Sequence, residues 1–257
     1  MRSGAAQRWL WPASLIVLLL VIWEVLVRWR ETPSWMLPPP SAIADTFRTD
    51  WRMLLEHTQV TLLEVLLGFG LALVAGVATG VAIDSSLIVR RTLYPLVIAS
   101  QTIPLVALAP LMLIWFGYGL LPKVLITALI GFFPIAVSTV DGLRSADSEM
   151  LALLRSMGAT TAQRFRLVRI PAGLPTLFSG ARVAITFCVI GAIFGELVGS
   201  SQGLGYLMER SAAQFQTARV FACIVILAIM GIGLFGLVSV IERVALPWRR
   251  AIVSSSG

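Results

Sequence analysis

Charge is scarce in this sequence. Asp, Glu, Lys and Arg make up 13% of its 257 residues, against roughly 25% in an ordinary soluble domain. Hydrophobic residues reach 58%, above the roughly 45–50% of soluble chains. The chain therefore falls in the membrane class before any motif is read. Histidine is nearly absent: His57 stands alone, which excludes a multi-histidine metal centre. Cysteine occurs only at Cys188 and Cys223, both inside apolar runs, where a packed thiol fits better than a disulfide or a metal ligand. The G-x-x-x-x-G-K-[ST] loop of nucleotide-binding proteins is missing. Acidic residues group only at Asp141, Asp147 and Glu149, near Arg144. They read as helix caps rather than ligands, which argues against an integral membrane enzyme. There is no internal repeat, which argues against a secondary transporter or channel working without ATP.

The net charge of +7 does not indicate nucleic acid. The basic residues are scattered between apolar runs, without zinc-finger, basic-zipper or stacking-aromatic patterns. What the chain has is six apolar segments long enough to cross about 30 Å of hydrocarbon. They run over 12–28, 60–83, 94–116, 121–140, 174–198 and 218–242. The first has Arg2 and Arg8 before it, as a signal peptide would. It is longer than a signal core, contains Glu24 and lacks a small-x-small cleavage site, so it reads as a retained span. Trp23, Trp29 and Trp35 are expected to act as interface anchors. With the N-terminus inside, the inner segments hold twelve basic residues and the outer ones seven. Both termini are thus expected to be cytoplasmic.

In "PSWMLPPPSAIADTF" three consecutive prolines favour an extended approach to a short surface helix, capped by Ser41 and running to about Leu55. Gly76 and Gly80 in the second span make a smooth face for close approach of another helix. Pro104 and Pro110 should bend the third span. Gln101 and Thr102 lie near that bend. Polar side chains beside broken backbone fit the wall of a watery pathway, and they equally fit a locally bonded kink. Glu196, at the outer end of the fifth span, is a further candidate for the pathway, or for a side chain reaching the interface. Glu24 and Glu64 are expected to reach water from their helices.

The stretch "SEMLALLRSMGATTAQRFRLVRIPAGLP", 148–175, separates spans four and five. Asp147 or Ser148 caps a helix beginning at Glu149, whose charge suits the positive end of the dipole. Met150, Leu151, Leu153, Leu154 and Met157 give it an apolar face, and Gly158 ends it. Thr160 with Gln163 forms a capping box for a second helix. The reading is two short amphipathic helices joined at a glycine, too short and polar to span. Two partners suit the apolar face: an anionic lipid surface or the groove of another protein.

This stretch resembles the cytoplasmic loop of binding-protein-dependent ABC importer permeases. Their pattern is Glu-Ala-Ala, three residues, Gly, nine residues, then Ile-x-Leu-Pro. Gly158 falls on its glycine, Val168 on its isoleucine, Ile170 on its leucine and Pro171 on its proline. The opening triplet is Ala152, Leu153 and Leu154, so the signature Glu is absent, and Glu149 lies three residues upstream. "WMLPPPSAIADTF", "PLVALAPLMLIWFGYGLLPKVLITALIGFFPIAVSTVDGLRSAD" and "GELVGSSQGLGYLM" are similar to the branch that imports nitrate, sulfonates, taurine, thiamine precursors and riboflavin-like molecules. "LIWFGYGLLPKV" is most similar to permeases for thiamine pyrimidine precursors and riboflavin.

The resemblance implies an all-α integral membrane protein of about six transmembrane helices, in a bacterial inner membrane. It implies one permease domain over 1–257, with a core at 58–245 and a coupling loop at 141–173. The implied partners are a cytoplasmic ABC ATPase dimer, an extracytoplasmic solute-binding protein, a second permease copy and membrane lipid. ATP and Mg would belong to the ATPase, with no cofactor in this chain. Glu149, Leu151, Leu154, Met157, Gly158, Ala159, Phe165 and Pro171 would couple the loop to the ATPase. Gln101, Thr102 and Glu196 would line the pathway.

Overall fold

A computed structural model describes residues 3–102 and 104–247. The elements, in chain order, are α1 (Ser3–Trp29), α2 (Pro40–Thr49), α3 (Trp51–Ser85), α4 (Leu87–Ser100), α5 (Leu105–Phe116), α6 (Leu120–Arg144), α7 (Ser148–Ser156), the single turn α8 (Thr161–Arg164), α9 (Ile170–Leu197), α10 (Leu204–Ala213) and α11 (Thr217–Ala245). A π-helical turn, Phe165–Arg169, joins α8 to α9. The all-helical membrane architecture expected from the sequence is what the structure shows. Five helices are long and apolar enough to cross a bilayer, those of α1, α3, α6, α9 and α11. α3 has 35 residues and is roughly 50 Å long at 1.5 Å per residue, so it extends beyond the hydrocarbon.

The third apolar segment is not the single bent helix the prolines suggest. It is two helices, α4 and α5, separated around Gln101–Pro104. Pro104 adopts an extended conformation (φ −67°, ψ 101°) and stands at the N-terminus of α5. Its ring nitrogen has no proton to continue the α4 ladder. Pro110 lies inside α5 without ending it.

α3, α6 and α9 form the heart of the molecule, and small residues set their spacing. A Cβ at Gly76 would lie 2.8 Å from the Ile135 side chain, and one at Gly80 2.5 Å from Thr139. The smooth face read from the sequence is thus where α6 packs. At the other contact, a Cβ on Gly142 would meet the Gly173 carbonyl at 2.6 Å. Backbones this close gain dispersion contacts, which association inside lipid needs in place of a hydrophobic drive. Fully buried Ile135, Val65, Ile185 and Cys188 fill the interior. Cys188 and Cys223 are both buried free thiols.

α1 lies outside this core, and its apolar residues from Trp11 to Val21 are exposed. Two contacts attach it. The Trp23 ring packs on Phe221 of α11, with centroids 5.5 Å apart. Trp23 is therefore a packing residue rather than an interface anchor, whereas Trp29 and Trp35 are exposed. Glu24 does not reach for water either. Its carboxylate accepts from the Ser41 N–H (3.0 Å), the Ser41 hydroxyl (2.9 Å) and Arg28 Nε (2.6 Å). A charge on another helix thus caps α2, where the dipole favours an anion. Ser41 sits within the first turn, after the N-cap Pro39. α2 ends at Thr49 rather than near Leu55, because Asp50 leaves helical geometry (φ −106°, ψ 14°) before α3 begins.

Coupling surface and buried polar network

Two regions carry the candidate functional residues, at opposite ends of the α3–α6–α9 bundle. The first is the loop from Ser145 to Arg169. Asp147 caps α7 by accepting the Glu149 N–H at 2.8 Å. The helix ends in a Schellman arrangement. The Ala159 N–H donates to the Leu154 carbonyl (2.9 Å) and the Gly158 N–H to that of Arg155 (3.1 Å). Gly158 has φ +80°, which the motif requires, and open space surrounds its Cα. The capping box at Thr160 and Gln163 is present in both directions, at 3.3 and 2.7 Å. The second helix of the loop is shorter than expected. One turn of α8 passes through the π turn into α9 without a break, so α8 and α9 form one rigid piece. Pro171 lies in the first turn of α9, directly after the π turn.

Side-chain placement divides the expected coupling residues. Met157 is exposed, together with Met150, Leu153 and Leu167. Glu149 and Gly158 are also exposed, whereas Leu151, Leu154, Ala159, Phe165 and Pro171 are half-buried. Leu151 lines the clefts against α3, and Phe165 closes an apolar seam with Val77, Val81 and Leu143. The outward apolar face therefore consists of Met150, Leu153, Met157 and Leu167, while Leu151 and Phe165 face the bundle and Leu154 is half-buried. Arg169 fixes its far end, donating from Nη1 to Asp84 Oδ2 of α3 at 2.5 Å. Asp84 was not legible as a partner, since 85 residues separate the two.

The second region lies at the other end of the bundle. Glu196 is fully buried. Its oxygens accept from the Thr61 hydroxyl (2.6 Å) and the Gly205 N–H (2.6 Å). Thr61 in turn accepts from the Leu204 N–H at 2.8 Å, and the Gly203 N–H donates to His57 Nδ1 at 2.9 Å. Gly203 has φ +114°, and a Cβ there would lie 2.2 Å from the Glu196 carboxyl carbon. Beside this network Lys123 donates to Glu64 Oε1 (2.8 Å) and Ser200 Oγ (2.6 Å). The Glu64 side chain is 0% exposed, so it is a buried ion-pair member rather than a chain reaching water. Sequence reasoning placed Lys123 in an outer loop and missed the pair.

Glu196 is likewise enclosed rather than on an open wall, because the Gly203–Gly205 turn folds over it. The network ties the α9–α10 turn to α3 and α6. Both oxygens of Glu196 are engaged and its side chain is buried. Gln101 and Thr102 are exposed at the α4–α5 break. A third ion pair lies between α9 and α11, with Arg182 Nη1 3.1 Å from Glu242 Oε2. Among the described residues no group of three or more His, Cys, Asp or Glu side chains is placed to hold a metal ion.

The chain is thus a membrane helix bundle closed by small residues, with a capped helix between its fourth and fifth apolar segments. Residues 68–245 match the family described as binding-protein-dependent transport system inner membrane component, and the chain belongs to it. It is 38% identical over 239 residues to the formylaminopyrimidine transport permease protein ThiX of Halalkalibacterium halodurans, covering 93% of this chain and 96% of that one. It is 36% identical over 256 residues to the riboflavin transport system permease protein RibX of Chloroflexus aurantiacus, covering 96% and 94%. The taurine transport system permease protein TauC of Escherichia coli is 29% identical over 257 residues, covering 94% and 93%. Among solved structures, an amino acid ABC transporter with histidines aligns with a TM-score of 0.62 at 17% identity, covering 79% of this chain and 96% of that one. That likeness concerns the fold. The chain is a membrane-embedded transport subunit of the ABC permease class.

Proposed function

We propose that this chain forms half of a permease pair in an ATP-driven importer, and that its solute is a thiamine pyrimidine precursor or a riboflavin-like molecule. Sulfonate, taurine or nitrate comes next. The observation that carries the reading is the loop. α7 is capped at both ends, presents Met150, Leu153 and Met157 outward, and joins a segment pinned to α3 by Arg169 and Asp84. An exposed apolar face on a rigid, anchored element fits a lever seated in a partner's groove. A cytoplasmic ATPase dimer holding ATP and Mg would push it, and the continuous α8–α9 piece would carry the motion into the bundle. The solute preference rests on identity, 38% and 36% to the pyrimidine and flavin permeases against 29% to the taurine permease.

The domain would be the whole chain, with its core at 58–245 and the coupling loop at 141–173. A second copy, or a close paralogue, would face the α4–α5 break, leaving Gln101 and Thr102 on the pathway between the two. An extracytoplasmic binding protein would deliver the solute at the end that carries the Glu196 network.

The test is uptake by proteoliposomes holding the permease pair, its ATPase and its binding protein. Labelled pyrimidine precursor or riboflavin should accumulate only with ATP inside and binding protein outside. Accumulation that persists without ATP would favour a secondary transporter or channel instead. Orientation has its own readout in a bacterial inner membrane with both termini cytoplasmic. A cysteine at Ser86, at the loop end of α3, should react only with membrane-permeant reagents. One at Ser201, beside the Glu196 network, should react with impermeant reagents from outside, and the opposite pattern would reverse the topology. A similar probe proposed at Ser254 lies outside the described residues.

A further inference from the structure

Behind the coupling loop, at the end of the bundle, lies a cleft of about 290 Å³. Three arginines from three elements line it: Arg90 of α4, Arg144 at the end of α6 and Arg169 of the π turn. Asp84 is the only acidic residue among the lining groups, and its carboxylate is taken by Arg169 Nη1. Arg90 and Arg144 have no carboxylate partner among the described residues. The lining thus carries an excess of two positive charges (three Arg against one Asp). A guanidinium has five N–H donors in a fixed fork, and the Asp84 contact leaves most of those on Arg169 open. The first turn of α4, beginning at Leu87 after an N-cap without a side-chain bond, adds backbone donors on one wall.

The rest of the lining is Ser86 and the apolar Ile83, Leu87, Leu143, Ala146 and Leu151. Next to it Ile88, 77% exposed, continues the apolar surface along α4. The site also lies where α3 and α6 both end.

We propose that this cleft binds the phosphate of an anionic phospholipid, with Arg90 and Arg144 on the phosphate oxygens and the acyl chains along Leu87 and Ile88. Asp84 holds Arg169 at the edge of the site, with the remaining N–H donors of its guanidinium open to the phosphate. A free phosphate would satisfy the same arginines, and the apolar flank is what favours a lipid. Basic pockets between membrane helices at the headgroup level are the general setting for such recognition. Because the cleft touches Leu151 of α7, the bound headgroup would brace the coupling loop from the membrane side. This proposal does not depend on which solute the protein moves.

Native mass spectrometry of the purified full chain in a neutral detergent tests it. Phosphatidylglycerol should form a one-to-one adduct, and phosphatidylcholine should not compete at equal concentration. Each basic contact at an anionic surface is worth about a fivefold change in affinity. Arg90→Gln/Arg144→Gln should therefore weaken the adduct by about 25-fold. The pair Arg30→Gln/Arg52→Gln, in the outer segments, should leave it unchanged, which controls for loss of overall charge. The two substituted arginines lack ion-pair partners among the described residues, so the variant should melt at the temperature of the unsubstituted chain. Equal adducts with both lipids, or an adduct that survives the double substitution, would overturn the proposal. Displacement of the lipid by millimolar inorganic phosphate would overturn the lipid assignment in favour of a soluble anion. Unchanged lipid binding with weakened ATPase co-purification would overturn it in favour of an acidic protein surface.

Discussion

Lys123→Met should be the most destabilising single change at the end of the bundle that carries the Glu196 network. The ammonium is 10% exposed and its partner Glu64 is 0% exposed. The second Glu64 oxygen has no hydrogen-bond partner of its own. Removing the cation leaves a buried carboxylate with nothing to offset its desolvation, a loss of about 3–5 kcal/mol. Ser200 loses its donor as well, so the α9–α10 turn should loosen with it. Thermal unfolding of the detergent-solubilised chain should show a large drop in Tm. Lys123→Met combined with Glu64→Met should recover most of it, because replacing both members of a buried pair by apolar groups is often neutral. A single variant that melts like the parent would show that the pair is solvated and the network ornamental.

That pair also shows where reading the sequence stops. Five of the six apolar segments correspond to membrane-length helices, because apolar runs of that length have one stable form in lipid. The loop was equally legible. Asp147, Gly158 and the Thr160–Gln163 box are local signals, each acting within a few residues, and each is in place. What sequence did not reveal is pairing across distance. Glu64 and Lys123 are 59 residues apart, Thr61 and Glu196 135. A single charge in an apolar run suggests only a route to water, and its partner is decided by which helices pack. One signal was available: Glu64, Lys123 and Glu196 all lie in apolar surroundings towards the outer ends of their helices, at matching depth. The same limit explains Leu151 and Leu154. Helical spacing marks an apolar stripe, but Leu151 and Leu154 of α7 are half-buried while Met150, Leu153 and Met157 are exposed, a split that depends on how the loop sits on the rest of the chain.

Gly158→Val should separate assembly of the permease from its coupling. The glycine holds φ +80° with no side-chain neighbour within 4 Å, so the effect of a substitution there is conformational rather than steric crowding. A β-branched residue at positive φ should strain the turn by on the order of 1–3 kcal/mol. The two Schellman bonds to Leu154 and Arg155 would open, and α7 would lose its fixed angle to α8. The membrane-length helices should insert regardless of that turn, so Gly158→Val should reach the membrane at normal levels. Gly158→Asn, which accepts the left-handed conformation more readily, should retain most of the function. The outward face predicts which leucine matters. Leu153→Asp, at a side chain 55% exposed, should weaken contact with the ATPase directly, without disturbing the bundle. Leu154→Asp would place its charge at a half-buried position and should lower stability as well. Co-purification of the ATPase and ATP-driven uptake are the readouts. Gly158→Val and Leu153→Asp should each lose the ATPase, or keep it and lose transport-stimulated hydrolysis, with Tm close to that of the parent. If the face instead rests on lipid, both variants will hold the ATPase as before. Normal uptake in both would mean that α7 transmits nothing and that the lever lies elsewhere in the chain.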